Sequence, residues 1–158
     1  GQANTNWYAY QVGTGNFGME IESKSVNNAF FPKVSNITLR RAAGTVTEAG
    51  NPTEIDAIQF KKEGNGEYSN IVISGYAANA AIARIQDANT NTNQVNGGKI
   101  KLLNVKIADS TPLTGAGSSS FTVSFPVGNF TTSTTSTGAA LTPGAWAIVD
   151  GVNLLANL

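Results

Sequence analysis

The chain has 158 residues, ten basic against ten acidic, and neither Cys nor His. A neutral balance with only 13% charged residues gives no clustered cationic surface for nucleic acid, and the missing Cys and His remove disulfides, thiolate metal sites and the usual general base. Apolar runs stay far below the roughly 20 residues needed to cross a bilayer, so a single domain spanning 1–158 is expected, with no cofactor, no membrane insertion and any export signal outside it.

In chain order the first strand-like run is Gly18-Met19-Glu20-Ile21-Glu22. Alternation places Met19 and Ile21 on one face and the two Glu on the other. Val34-Ser35-Asn36-Ile37-Thr38-Leu39 follows, then a polar insert from Ala42 to Thr53. The pair of runs recurs as Ala57-Ile58-Gln59-Phe60-Lys61 and Tyr68-Ser69-Asn70-Ile71-Val72-Ile73, separated by the insert Lys62 to Gly66. It recurs again as Ala81-Ile82-Ala83-Arg84-Ile85 and Leu102-Leu103-Asn104-Val105-Lys106-Ile107, separated by Asp87 to Gly98. The phase of Ala81–Ile85 is ambiguous and leaves room for a bulge. The three inserts are expected to project as loops from a rigid shaft.

Asn36, Asn70 and Asn104 are spaced by 34 and 34 residues, each with apolar residues one and three places on. A strand, turn and strand repeated in this way cannot bury its apolar face alone and does so by stacking on its copies. Stacked parallel strands lie about 4.8 Å apart, close enough for the three amides to form a hydrogen-bonded ladder, each Asn at the entrance of its strand. The alternative is that these Asn only mark turns. The expectation is an all-β parallel β-helix of about three coils over residues 1–110, closed by an irregular β segment over 111–158.

In that closing segment Ser119 to Phe125 alternates as a strand should. Asn129 to Gly138 is nearly all Thr and Ser and belongs to the irregular closing region, and its run Thr131 to Thr137 reads as a flexible or glycosylated linker. Trp146, Ile148, Val149, Val152, Leu154 and Leu155 are expected to plug the last coil.

Taken together, Gly18-Met19-Glu20-Ile21-Glu22, Phe31 to Leu39, Ala57-Ile58-Gln59-Phe60 and Ser69 to Tyr76 resemble the C-terminal half of the pectate-lyase-like right-handed β-helix proteins secreted by Bacteroidota. The resemblance covers roughly residues 5 to 110. It implies an extracellular or cell-surface protein, exported in the manner of type IX secretion cargo and commonly without assigned activity. Longer proteins of this kind begin with further coils, so either missing N-terminal coils or another protein chain is expected to cover the first coil.

A polysaccharide lyase of this kind would use acidic calcium ligands and an Arg or Lys base. By facing, Glu20, Glu22, Lys61 and Arg84 are the groups for such a site, and the plainer reading is a surface ion-pair ladder. Calcium lyases concentrate several Asp, whereas Asp56, Asp87, Asp109 and Asp150 are widely separated. Trp7, Tyr8, Tyr10, Tyr68 and Tyr76 are the candidates for stacking on a pyranose ring, or else caps over the core. The leading expectation is a non-enzymatic β-helix module displaying loops for adhesion, glycan binding or assembly. The alternatives are a fragment of a polysaccharide lyase or glycoside hydrolase, and a structural subunit stacking end to end.

Overall fold

The computed structural model describes residues 3–23, 31–109, 111–141, 147–149 and 151–153. In chain order the strands are β1 (Ala3–Gln11), β2 (Met19–Glu22), β3 (Lys33–Arg41), β4 (Ile58–Lys61), β5 (Gly66–Ser74), β6 (Ala81–Ile85), β7 (Ile100–Ile107), β8 (Thr114–Gly117), β9 (Phe130–Thr132), β10 (Ile148–Val149) and β11 (Val152–Asn153). One helical turn, α1 (Ala88–Thr90), runs on into a π-helical turn over Asn91–Val95.

The odd-numbered strands build a long five-stranded sheet in the order β1-β3-β5-β7-β9, and β2-β4-β6-β8 build a short four-stranded one. Every pairing in both sheets is parallel. The chain therefore winds as a parallel β-helix of about three turns, in which each coil contributes one strand to each sheet.

The core consists of like residues stacked on like. In the long sheet Val34, Tyr68 and Leu102 share one row, Ile37, Ile71 and Val105 a second, and Leu39, Ile73 and Ile107 a third. In the short sheet the rows are Met19, Ile58, Ala83 and Ala116, then Ile21, Phe60 and Ile85. The Phe60 and Tyr68 rings meet edge to face at 5.7 Å and join the two sheets. Each fully buried Ile or Phe in these rows stabilises the stack by about 1.5–3 kcal/mol.

Several details differ from what the sequence suggests. Asn36, Asn70 and Asn104 do not stand at strand entrances: they lie inside β3, β5 and β7 with positive φ of 57°, 52° and 57°. Asn is the residue that best tolerates this left-handed backbone apart from Gly. The inward positions of β3 are consequently Val34, Ile37 and Leu39, a step of three across the Asn and of two after it, so each long strand is bent at its Asn. Ala81–Ile85 carries no bulge and pairs with β4 in regular register, Ala83 with Ile58 and Ile85 with Phe60.

The inserts do not all project. Lys62 to Asn65 forms a tight corner, with positive φ at Lys62 and Glu63. The helical segment packs Thr90, Gln94 and Val95 into the interior, where Gln94 Oε1 accepts from Asn65 Nδ2 at 3.1 Å. Asp87 N-caps this segment, accepting from the Thr90 N–H at 2.8 Å.

Ser119 to Phe125 is not a strand. The fourth rung of the short sheet is Thr114–Gly117, which matches β6 in register, while Phe121, Val123 and Phe125 lie in irregular chain packed against the core. The alternation was a true sign of burial on one side, but the segment has no ladder partner. These residues and Phe130 also occupy the last coil, the role expected of the C-terminal apolar group. Of that group Trp146, Leu154 and Leu155 lie outside the described residues, Ile148 is half exposed, and Val149 and Val152 pair in the β10–β11 hairpin.

Candidate functional site

Asn70 Nδ2 donates to Asn36 Oδ1 at 2.8 Å, and Asn36 Nδ2 donates to Asn6 Oδ1 at 3.2 Å. The ladder thus includes a rung that the 34-residue spacing misses. Asn6 has the same left-handed backbone, φ 63°, and apolar Trp7 and Ala9 follow it one and three places on, but it precedes Asn36 by only 30 residues. At the other end Asn104 is exposed, and the carbonyl of Asn70 is occupied by a different partner.

That partner is the Ser/Thr-rich segment after β9, which turns back across the outside of the long sheet. The Ser136 hydroxyl donates to the Asn104 carbonyl, and the Thr137 and Gly138 N–H groups donate to Asn70 Oδ1 at 2.9 and 3.3 Å. Ala139 N–H reaches Thr38 Oγ1 at 2.9 Å and Ala140 N–H reaches Asn6 Oδ1 at 3.1 Å. The expected linker is therefore a strap crossing β7, β5, β3 and β1 in turn. Gly138 has φ +69°, and a Cβ there would collide with Thr38 Oγ1 and press on Val72, so the strap lies directly on the sheet.

The outward rows of the same sheet carry the chemistry. Tyr8 is in register with Thr38 and Val72, and Tyr10 with Arg40 and Ser74. The Arg40 guanidinium lies 5.2 Å from the Tyr10 ring centroid and donates to Tyr8 Oη at 3.5 Å. Beside this platform a cleft of about 330 Å³ opens between sheet and strap. It is lined by Thr38, Arg40, Val72 and Ser74 of the long sheet, by Asp109, and by Thr137 and Ala139 of the strap.

Asp109 accepts from the Gly75 N–H at 2.5 Å and from the Thr111 N–H at 3.2 Å. Burial pushes its pKa up, but these backbone hydrogen bonds outweigh burial and hold it below the ordinary carboxylate value.

The five aromatic candidates separate into two groups. Tyr68 and Tyr76 are each 3% exposed, so their rings belong to the core. Tyr68 Oη donates to the Asn65 carbonyl and Tyr76 Oη to Gln11 Oε1, and burial raises both phenols well above their usual range. Trp7 stands in the row of Ile37 yet is 45% exposed, because it occupies the first rung of the stack. Tyr8 and Tyr10 face outward on the platform, and Tyr10 is 47% exposed.

On the short sheet Glu22 pairs in register with Lys61. Lys61 Nζ lies 2.8 Å from Glu20 and 3.7 Å from Glu22, and Lys62 Nζ lies 3.0 Å from Glu22. The hydrogen bond to Glu20 raises the Lys61 pKa despite its partial burial. Arg84 is removed from this group and pairs with the buried Asp56 at 3.2 Å, whose other oxygen accepts from the Ala81 N–H at 2.6 Å. Among the described residues no three acidic side chains converge as a metal site would require.

The stacked parallel coils decide the family. A family model described as the pectate-lyase like beta helix domain matches residues 1–148. This chain belongs to the pectate-lyase-like β-helix family. Neither a curated protein nor a solved structure matches it. Within the pectate-lyase-like β-helix frame, Arg40, Ser74 and Asp109 line the cleft and are the candidates that sequence reasoning misses. Arg40 and Ser74 occupy equivalent outward positions, four residues after Asn36 and Asn70, so counting from the ladder would have found them.

Proposed function

We propose that this chain is a non-catalytic β-helix module of an exported or cell-surface protein, and that the outer face of its long sheet binds glycan. The observation that carries this reading is the platform of Tyr8, Tyr10 and Arg40. An exposed ring beside a fixed guanidinium and phenol offers a sugar both an apolar surface and hydrogen-bonding groups. Family membership supports a carbohydrate-related or surface role. Extracellular placement, through type IX export in a Bacteroidota-like setting, belongs to the same proposal. The acids of the short sheet support binding over acid–base chemistry, since Glu20, Glu22 and Asp56 are each engaged with a cation.

Affinity electrophoresis through gels containing soluble polysaccharides tests the reading. Retardation by at least one polysaccharide is expected, lost in the Tyr8→Ala/Tyr10→Ala double variant and unaccompanied by shortening of the polymer. Unchanged retardation of the double variant, or release of reducing or unsaturated ends, would overturn it.

A second reading, assembly through the first coil, is favoured by β1 itself. Its nine residues contain no charge, and Trp7 in the core row is nearly half exposed, so β1 lacks the charged side chains that commonly guard an edge strand. A further coil or a second copy stacked on β1 would cover Trp7. Concentration-dependent sedimentation with quenching of Trp7 accessibility would be the result, and monomeric sedimentation at all concentrations would remove the self-association form of this reading.

A further inference from the structure

We infer that the outer edge of β1 is a docking site for a parallel strand of another protein, one that presents a side-chain carbonyl to Asn6, and that a second copy of this chain does not satisfy it. The inference rests on the assembly reading above and narrows it to one kind of partner. In the long sheet β1 pairs with β3 on one side only. Its other edge carries main-chain donors and acceptors that no described strand meets.

The ladder has a direction, and that direction defines what is missing. Asn70 donates its Nδ2 to the Oδ1 of the coil before it, and Asn36 does the same to Asn6. Asn6 keeps the same left-handed backbone, yet its own Nδ2 has no acceptor among the described residues. Its Oδ1, in contrast, accepts from Asn36 Nδ2 at 3.2 Å and from the Ala140 N–H at 3.1 Å, which uses both lone pairs of an amide oxygen. The open end of the ladder therefore offers a donor and no acceptor.

This asymmetry rules against self-stacking. A two-fold pair of β1 edges would set two donors against two saturated carbonyls. Head-to-tail stacking would bring up the last coil, which ends in the three residues of β9 against the nine of β1. The side chain that meets Asn104 there is a hydroxyl, Thr131 Oγ1, already accepting from the Asn104 N–H at 2.8 Å. Neither arrangement supplies a free side-chain carbonyl.

The edge is complete before a partner arrives. β1 is in register with β3 from Ala3 to Gln11, and Asn6 is held by both the ladder and the strap. A strand from another chain can thus add by main-chain hydrogen bonds, with its side chains setting specificity. Register states what those side chains are. Asn4 heads the row of Val34 and Tyr68, so the residue above it must be polar to avoid an unpaired buried amide. Trp7 heads the row of Ile37 and Ile71, so the residue above it is apolar. Of this chain's own Asn-bearing strands β5 fits this pattern, with Tyr68, Asn70 and Ile71 at the three positions, whereas β3 and β7 bring Val34 and Leu102 over Asn4.

A synthetic peptide of residues Gly66–Ser74, titrated into the intact chain and followed by two-dimensional NMR, tests the inference. It is expected to shift the side-chain NH2 of Asn6 and the amide and indole N–H of Trp7, while the chain sediments as a monomer. The same peptide carrying Asn70→Gly keeps the backbone freedom but loses the carbonyl, and should bind roughly two- to tenfold more weakly, the contribution of one hydrogen bond. The peptide carrying Asn70→Asp keeps an acceptor and should bind the wild-type chain but not the Asn6→Asp variant. That variant retains an oxygen for Asn36 and Ala140, so ladder and strap persist, and replaces only the donor. Equal binding of the Asn70→Gly peptide, equal binding of the Asn70→Asp peptide to both chains, shifts confined to β9, or no shift at all would overturn the site. A Trp7 indole protected from solvent exchange before any peptide is added would assign the edge to another segment of this chain and overturn it as well. Self-association that shifts Asn6 and Trp7 without peptide would refute this inference and leave the broader assembly reading standing.

Discussion

The two sheets share one core but hold their outer faces in different ways. The long sheet is fixed by neutral amides and hydroxyls whose positions are dictated by backbone geometry: a left-handed Asn on each coil, and a strap whose N–H groups meet Asn6, Thr38 and Asn70. The short sheet is fixed by charge, with Lys61 between Glu20 and Glu22 at the surface. Hydrogen bonds of the first kind are expensive to leave half made, whereas exposed ion pairs contribute little and are screened by salt. The long-sheet face is therefore the rigid one, and it carries the proposed binding platform.

The largest expected effect is common to both sheets. Ile71→Ala removes the centre of the Ile37, Ile71 and Val105 row and should cost about 2–5 kcal/mol in urea denaturation, whichever face is being considered. Below that, Asn70→Gly keeps the positive φ but deletes the amide, leaving the Thr137 and Gly138 N–H groups without their acceptor. A loss of about 1–3 kcal/mol is expected, together with faster hydrogen exchange at Ala139 and Ala140. Asn104→Gly should cost clearly less, and equal costs would mean that the strap contributes nothing to the ladder.

Acid should weaken the fold through Asp87 and Asp109. Burial raises both pKa values, but accepted backbone hydrogen bonds outweigh it and hold them below the ordinary 3.8. Their contribution is complete above the unfolded value and is lost as pH falls through the lower folded values. Asp87→Asn and Asp109→Asn should flatten the acid limb of a stability profile. The Lys61 pKa is raised above 10.5, chiefly by its hydrogen bond to Glu20, so its contribution is complete below 10.5 and is lost only as pH rises through the folded value.

The smallest effect completes the contrast. Lys61→Ala should cost under about 1 kcal/mol and still less at high salt. A salt-insensitive loss as large as that of Asn70→Gly would erase the distinction between the two faces.

How much of this was legible in the sequence follows from what each element depends on. The stacked rows were legible because period-two burial and a constant step leave a mark at every coil, as Ile37, Ile71 and Val105 show. The bend at each Asn was not, since an apolar residue one place after Asn fits either a strand entrance or a left-handed interior. Asn6 escaped because it stands 30 and not 34 residues before Asn36, although Trp7 and Ala9 follow it in the same phase. The strap was illegible for a different reason. Ser133 to Ala140 binds mainly through its main chain, with hydroxyls only at Ser136 and Thr137, and main-chain donors are the same in every sequence, so little distinguished it from a linker. The platform was only half visible: Tyr8 and Tyr10 could be named, but Tyr68 and Tyr76 looked no different until burial separated them. Arg40 acquired meaning only once register placed it beside Tyr10.

The bond from Ala140 N–H to Asn6 Oδ1 joins residues 134 positions apart. A solenoid in which each repeat touches only its neighbours is a linear array, able to melt inward from either end. By returning from the last coil to the first, the strap closes that array into a ring of contacts, in which neither end coil can loosen without breaking a bond to the other. The chain is thereby expected to unfold as one cooperative unit, with loss of the strap restoring the gradual, end-first melting of an open stack.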